Sequence, residues 1–181
     1  MNAFENIIAQ CLESEGYWVK QSVKVEITKE DKRAMNLPSM PRPEIDIVAL
    51  NMKKNELLLV EVKSYLDSPG VWYEAVAGKD TDYYNKRYRL FNDDKYRKIV
   101  TERLVEQYLG QGLINKRTKI NYALAAGKIY PGAEPLLEKH FADNGWILFA
   151  PSRIKQKMRE LSDKGWEDNI ATMTAKLLLR D

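Results

Sequence analysis

Two short runs decide the fold: Pro43-Glu44-Ile45-Asp46-Ile47-Val48-Ala49-Leu50-Asn51 and Glu56-Leu57-Leu58-Leu59-Val60-Glu61-Val62-Lys63. Each is a compact β-branched and aliphatic stretch, and only Met52-Lys53-Lys54-Asn55 separates them, which predicts an antiparallel hairpin. With a four-residue loop, Asn51 pairs with Glu56. Asp46 then faces Glu61 and Glu44 faces Lys63, with opposed Cβ atoms about 4.5–5.5 Å apart on one face. Glu61 and Lys63 share that face, about 6.7 Å apart along their strand.

The remainder of that face is Val48, Leu50, Leu57 and Leu59, and the other face is Ile45, Ile47, Ala49, Leu58, Val60 and Val62. Both faces are apolar, as in a central strand pair covered on both sides. Only the end carrying Glu44, Asp46, Glu61 and Lys63 is polar. A solvated face would be polar along its whole length. Two opposed carboxylates at the rim of a buried face repel each other and call for a neutralising charge. Lys63 supplies one charge against two or three, and a divalent cation with oxygen ligands would complete the balance. The simpler alternative is a salt-bridge cluster in which Lys63 pairs with Glu44 and Asp46.

Outward from the hairpin, Phe4, Ile7, Ile8, Cys11 and Leu12 recur at helical spacing, predicting a helix over residues 3–15 with Asn2 as N-cap and Gly16 as stop. Residues 17–28 alternate with period two through Val19, Val23, Val25 and Ile27, predicting a strand apolar on one face. Residues 29–43 read as a charged, proline-bearing loop. Residues 64–94 are irregular and aromatic, with a short helix after Pro69. Helix 95–109, strand 120–126, a turn and helix over 131–144, strand 146–150 and helix 151–161 follow. A closing helix over 167–179 carries Ile170, Met173, Thr174, Leu177 and Leu178 on one stripe. That stripe is expected to be buried, in the core first and in a homodimer contact second. The order α-β-β-β-α-β-α-β-α-α predicts an α/β chain with a mixed central sheet flanked by helices, a single domain over 1–181 with an aromatic and basic insertion at about 65–94.

With one cysteine (Cys11) and one histidine (His140), the chain has no intramolecular disulfide, no Cys-rich zinc site and little scope for His-based metal chemistry. Its chemistry must come from carboxylates, Lys, Arg and Tyr. No apolar run nears the roughly 20 residues that span a bilayer, and no secretory signal pattern is present, so the expected compartment is the cytoplasm with no membrane partner. The net charge of +3 permits a nucleic-acid partner without demanding one.

Pro43-Glu44-Ile45-Asp46 followed by Val60-Glu61-Val62-Lys63 resembles the D-(x)n-E-x-K signature of the PD-(D/E)XK nuclease superfamily, the restriction-endonuclease-like proteins. The helix from Phe4 to Gly16 resembles the opening helix of that superfamily, which often contributes a further glutamate. One departure stands: Glu44, not an aspartate, follows Pro43, and its role is left unassigned. The resemblance implies a metal-dependent nuclease acting on nucleic acid, DNA first, with Mg²⁺ as cofactor and Mn²⁺ as its substitute. It implies that Asp46 and Glu61 ligate the metal with the Val62 carbonyl adding an oxygen, and that Lys63 orients water or phosphate. Lys63, beside carboxylates, stays protonated and serves orientation rather than base duty. Glu5 has two readings, a residue linked to the metal site or a capping-box glutamate paired with Asn2; Glu15 is a distant alternative. Cys11 reads as core and His140 as a packing or surface residue.

Between Tyr65 and Tyr96, basic and aromatic residues interleave. Lys86, Arg87, Arg89 and Tyr84 are the expected substrate contacts, since basic groups neutralise phosphates and rings stack on unpaired bases. In the alternative, the aromatics pack the insertion onto the core and the basic groups balance Asp80, Asp82, Asp93 and Asp94. Three functions stay open at this point: an active nuclease, an inactive nuclease-fold protein that binds nucleic acid or a protein, and an interaction module using the C-terminal apolar stripe.

Overall fold

The structure is a computed structural model that describes residues 2–180. Helix α1 (Ala3–Ser14) opens the chain and is capped by Asn2, whose side chain accepts the Phe4 N–H at 2.9 Å. Strand β1 (Trp18–Lys24) leads through α2 (Lys29–Ala34) to the hairpin strands β2 (Glu44–Asn51) and β3 (Glu56–Lys63). Four short helical turns follow: α3 (Tyr73–Val76), α4 (Asp82–Asn85), a 3-10 turn (Lys86–Tyr88) and α5 (Arg89–Asn92). The long helix α6 (Asp94–Gly110) then crosses to β4 (Lys119–Ala126), and α7 (Glu134–Asp143), β5 (Ile147–Phe149), α8 (Pro151–Asp163) and α9 (Ile170–Leu179) complete the chain.

The five strands lie in the order β1-β2-β3-β4-β5, antiparallel across the first three and parallel from β3 to β5. This is a mixed α/β sheet with helices on both faces. On one face Ile47, Ala49, Leu58, Val60 and Val62 pack under Phe4, Ile8 and Leu12 of α1 and Ile154 of α8. On the other, Val48, Leu50, Leu57 and Leu59 pack under Val100 and Leu104 of α6 and Leu137 and Phe141 of α7. The double coverage explains why β2 and β3 are apolar on both sides. Among the described residues no helix is long and apolar enough to cross a membrane.

Four expectations need correction. Residues 29–43 are not all loop: Thr28 and Asp31 form a capping box, each side chain taking the other's N–H at 3.1 and 2.8 Å, and this starts α2. Arg103 of α6 grips Asp31 through two bonds of 2.8 and 3.0 Å and ties α2 to the body. The second concerns the faces of β1 and β2. Val19 packs toward α1 but Val23 and Val25 pack toward α6, and Ile45 joins them there while Ile47 stays on the α1 side. Ser22 has a left-handed φ of 52°, and this kink, level with Asp46, swings the alternation of both strands.

The third concerns register. Pairing runs as expected from Asn51↔Glu56 to Ile47↔Val60 and then stops, so Asp46–Glu61 and Glu44–Lys63 are not ladder pairs. There β2 stays with β1, where Glu44 pairs with Lys24, and leaves β3. The fourth concerns α9. Its stripe, expected first in the core, is not packed there: Ile170 is 85% and Leu177 83% exposed on the single chain, with Met173 and Leu178 also outward. The helix is seated instead by Ala171, Thr172 and Ala175, small residues that let it approach Cys11 and Leu161 closely.

Candidate active site

The site lies where β2 and β3 part. Residues of β3 alternate in direction, and Gly127 N–H donates to the Lys63 carbonyl at 2.8 Å, so Lys63 bonds toward β4 and Val62 toward β2. Continuing the hairpin would give Val62 the Ile45 carbonyl. It receives a carboxylate instead: Val62 N–H donates to Asp46 Oδ2 at 2.7 Å. The side chain of Asp46 therefore closes the gap that its own strand opens. The Val62 carbonyl lies on the same side of β3, beyond the last paired residue.

Glu61 and Lys63 project from β3 toward the α6 side, and the Lys63 ammonium is ion-paired and hydrogen-bonded to Glu61 Oε1. Both side chains are largely buried. The salt-bridge alternative placed Lys63 against Glu44 and Asp46, whereas its direct partner is Glu61. The second oxygens of Asp46 and Glu61 make no hydrogen bond among the described residues. Gly127 sets the backbone here, since a Cβ on it would collide with the Ser64 carbonyl oxygen and stand 3.0 Å from the Phe4 ring. The sequence does not single out Gly127; its only signal is the Ala-Ala-Gly end of β4.

Burial and crowded negative charge dominate the electrostatics. Burial pushes the Glu61 carboxyl up to about 7, against the pull of Lys63 and with the help of the Asp46 charge. Burial also raises Asp46, which Lys63 and the Val62 N–H only partly offset. Burial opposes the Lys63 charge, yet Glu61 and Asp46 outweigh it and hold the ammonium above its ordinary pKa. Lys63 is a fixed cation. Burial raises the Glu5 carboxyl, and the Asp46 charge adds to the shift. Glu5 also serves the helix, accepting the Asn2 N–H at 3.5 Å. Glu15 is elsewhere, ion-paired with Lys157.

The donor chemistry fits a hard divalent cation. Among the described residues no three His, Cys, Asp or Glu side chains are gathered to hold a metal by themselves. What the site offers is two carboxylates with free oxygens, a main-chain carbonyl beside them and a single compensating ammonium. Mg²⁺ is commonly held by one or two carboxylates, with water and substrate phosphate filling the other positions.

Aromatic residues wall the site. Lys63 Nζ lies 6.0 Å from the centroid of the buried Tyr88 ring. The Tyr96 phenol is pushed up to about 12 by burial and by the Glu61 charge. The expected substrate contacts divide. Arg87 and Tyr84 line a hollow with Tyr65 and Tyr88, whereas Lys86 and Arg89 line a more open one with Asp82, Asp93 and Asp94. Among the described residues neither Lys86, Arg87 nor Arg89 forms an ion pair. Arg87 donates to the Tyr83 hydroxyl at 2.8 Å and the Tyr65 hydroxyl at 3.4 Å, Lys86 sits 4.8 Å over the Tyr83 ring, and Arg89 stacks at 6.0 Å over Tyr96. Tyr88 and Phe91 are core residues, so packing claims part of the segment. His140 packs against Tyr73, Phe141 and Trp146, and Cys11 is buried under α9, its thiol pushed up to about 11 by burial.

No protein-family model, curated protein or solved structure matches the chain.

Proposed function

We propose that this chain is a metal-dependent nuclease of the PD-(D/E)XK, restriction-endonuclease-like type, hydrolysing phosphodiester bonds in nucleic acid, DNA first. One observation carries the reading. Two half-buried carboxylates with free oxygens and one ammonium share the point where a central hairpin opens, and the Asp46 carboxylate is held there by the Val62 N–H. A salt bridge kept for stability alone would not gather a second, uncompensated carboxylate beside the first, because burying charge without a partner is costly.

Asp46, Glu61 and the Val62 carbonyl would hold Mg²⁺ or Mn²⁺. When bound, the ion polarises the phosphate and lowers the pKa of a coordinated water. The chain's own residues do the rest. The Val62 N–H fixes the rotation of Asp46, leaving its other oxygen for the ion. Lys63, protonated and anchored on Glu61, presents positive charge where a phosphate oxygen gains negative charge. Glu5 adds negative field at the rim and strengthens the site's preference for a cation. Arg87, Lys86 and Arg89, which form no ion pair among the described residues, are placed to neutralise flanking phosphates.

Incubating the purified protein with supercoiled plasmid, linear duplex and single strands, with Mg²⁺, Mn²⁺ or a chelator, tests the proposal. Cleavage that needs the metal and is lost in Asp46→Asn supports it; metal-dependent cleavage unaffected by that change would move the reaction elsewhere.

A further inference from the structure

The hollow beside Lys63 encloses about 320 Å³. Tyr65, Trp72, Tyr84 and Tyr88 wall it with rings, and Asp80 and Arg87 contribute charge at its edge. Tyr88 belongs to both places: its buried ring faces Lys63 Nζ at 6.0 Å. One ring thus separates the hollow from the groups assigned to the reaction.

The walls are braced. Trp72 is 40% exposed, yet its ring is stacked on Tyr130 with centroids 4.1 Å apart and planes 27° apart, which holds it as a platform. Tyr84, 48% exposed, is met edge-on by Tyr83 at 5.0 Å. Tyr65 leaves β3 with a left-handed φ of 46°, an unfavourable conformation for an aromatic residue. Gly70 holds the same loop against the chain after β4, where a Cβ would stand 2.7 Å from the Ile129 carbonyl carbon. The guanidinium of Arg87 donates to two tyrosine hydroxyls, those of Tyr65 and Tyr83.

We propose that this hollow receives one unpaired base of the substrate, so that the favoured substrate is a single-stranded or locally unpaired nucleic acid rather than intact duplex. This rests on the reading of Asp46, Glu61 and Lys63 as the reaction centre. Exposed rings offer stacking surface to any base, and stacking is tolerant of sequence. The volume is at the small end of ligand pockets, suited to a base and part of its sugar. A base inside a duplex is stacked on its neighbours and cannot enter. With the base lodged against Tyr88, the adjoining phosphate falls toward Lys63 while Arg87 engages the next.

Binding in the presence of a chelator tests this without any cleavage. The probes are a short oligothymidine strand, a sugar–phosphate strand of equal length without bases, and a fully paired, blunt-ended duplex. Wild type should bind the oligothymidine about tenfold more tightly than the base-free strand. Trp72→Ala and Tyr84→Ala should each lose most of that difference, and circular dichroism should show both variants folded, since both rings are partly exposed. Equal affinity of wild type for the strands with and without bases, or tighter binding of the fully paired duplex than of oligothymidine, would overturn the inference. Metal-dependent cleavage is scored separately. Base-dependent binding with no cleavage of any strand keeps the hollow and removes the nuclease reading. Cleavage with base-independent binding does the reverse.

Discussion

Val62 N–H donates to Asp46 Oδ2 at 2.7 Å, a side-chain bond standing where the hairpin ladder would place the Ile45 carbonyl. That bond marks the place where β2 leaves β3 for β1, and it puts a carboxylate beside a main-chain carbonyl and a second, half-buried carboxylate.

The first prediction concerns metal. Wild type should bind Mn²⁺ in a calorimetric titration, and Asp46→Asn and Glu61→Gln should each abolish the signal. Lys63→Ala should retain it, because the ammonium ligates nothing. Unchanged Mn²⁺ affinity in both carboxylate variants would place the ion elsewhere.

The second follows from the raised Glu61 carboxyl. The proton is held more tightly in the folded state, at about 7, than at the ordinary value of 4.5. Folded protein then carries more bound protons than unfolded protein between those two values, and stability falls as pH rises through that window. The loss is up to about 3 kcal/mol for the metal-free protein. Glu61→Gln has no proton to lose. Denaturant melts in chelator should show it equal to wild type near the acid end of the window and more stable above it. A variant that stays less stable than wild type above the window would mean that the Lys63 pair outweighs burial.

How much of this was legible depends on which physics each element obeys. The hairpin and its register from Asn51–Glu56 to Ile47–Val60 were legible because apolar runs and a short loop leave few pairings. The end of the ladder was not, since nothing in a serine reveals that Ser22 turns left-handed and rotates Ile45, Val23 and Val25 to the other face. Helix α2 had its Thr28–Asp31 cap in plain view among charges that masked it. In α9 the large residues drew attention, yet close packing selected the small ones. The hollow beside Lys63 is assembled from loop residues whose meeting depends on turns such as Tyr65 and Gly70, and no periodicity announces those.

That exposure of α9 gives a third prediction. Leu177→Asp should fold normally, with stability within about 0.5 kcal/mol of wild type by chemical denaturation, since surface changes seldom do more. A loss of several kcal/mol would show Leu177 buried in the protein as it exists in solution.

A fourth concerns the uncompensated basic groups. Replacing Lys86, Arg87 and Arg89 together with Ala should make the salt dependence of single-strand binding shallower, by about 0.7 in log–log slope for each phosphate that is no longer neutralised. Thermal stability should change little, because among the described residues none of the three forms an ion pair. Equal slopes for the triple variant and wild type would remove these residues from the interface.

The most direct test is the rate of phosphodiester cleavage at saturating Mn²⁺ in wild type, Asp46→Asn, Glu61→Gln and Lys63→Ala. Cleavage should be absent in chelator and in both carboxylate variants. Lys63→Ala should fall by about 100-fold or more while still binding the metal, as expected when a group acts mainly on charge developing at the reacting phosphate. Wild-type protein that binds Mn²⁺ at Asp46 and Glu61 yet cleaves no strand, or a Lys63→Ala variant as fast as wild type, would contradict a nuclease centre at this hairpin.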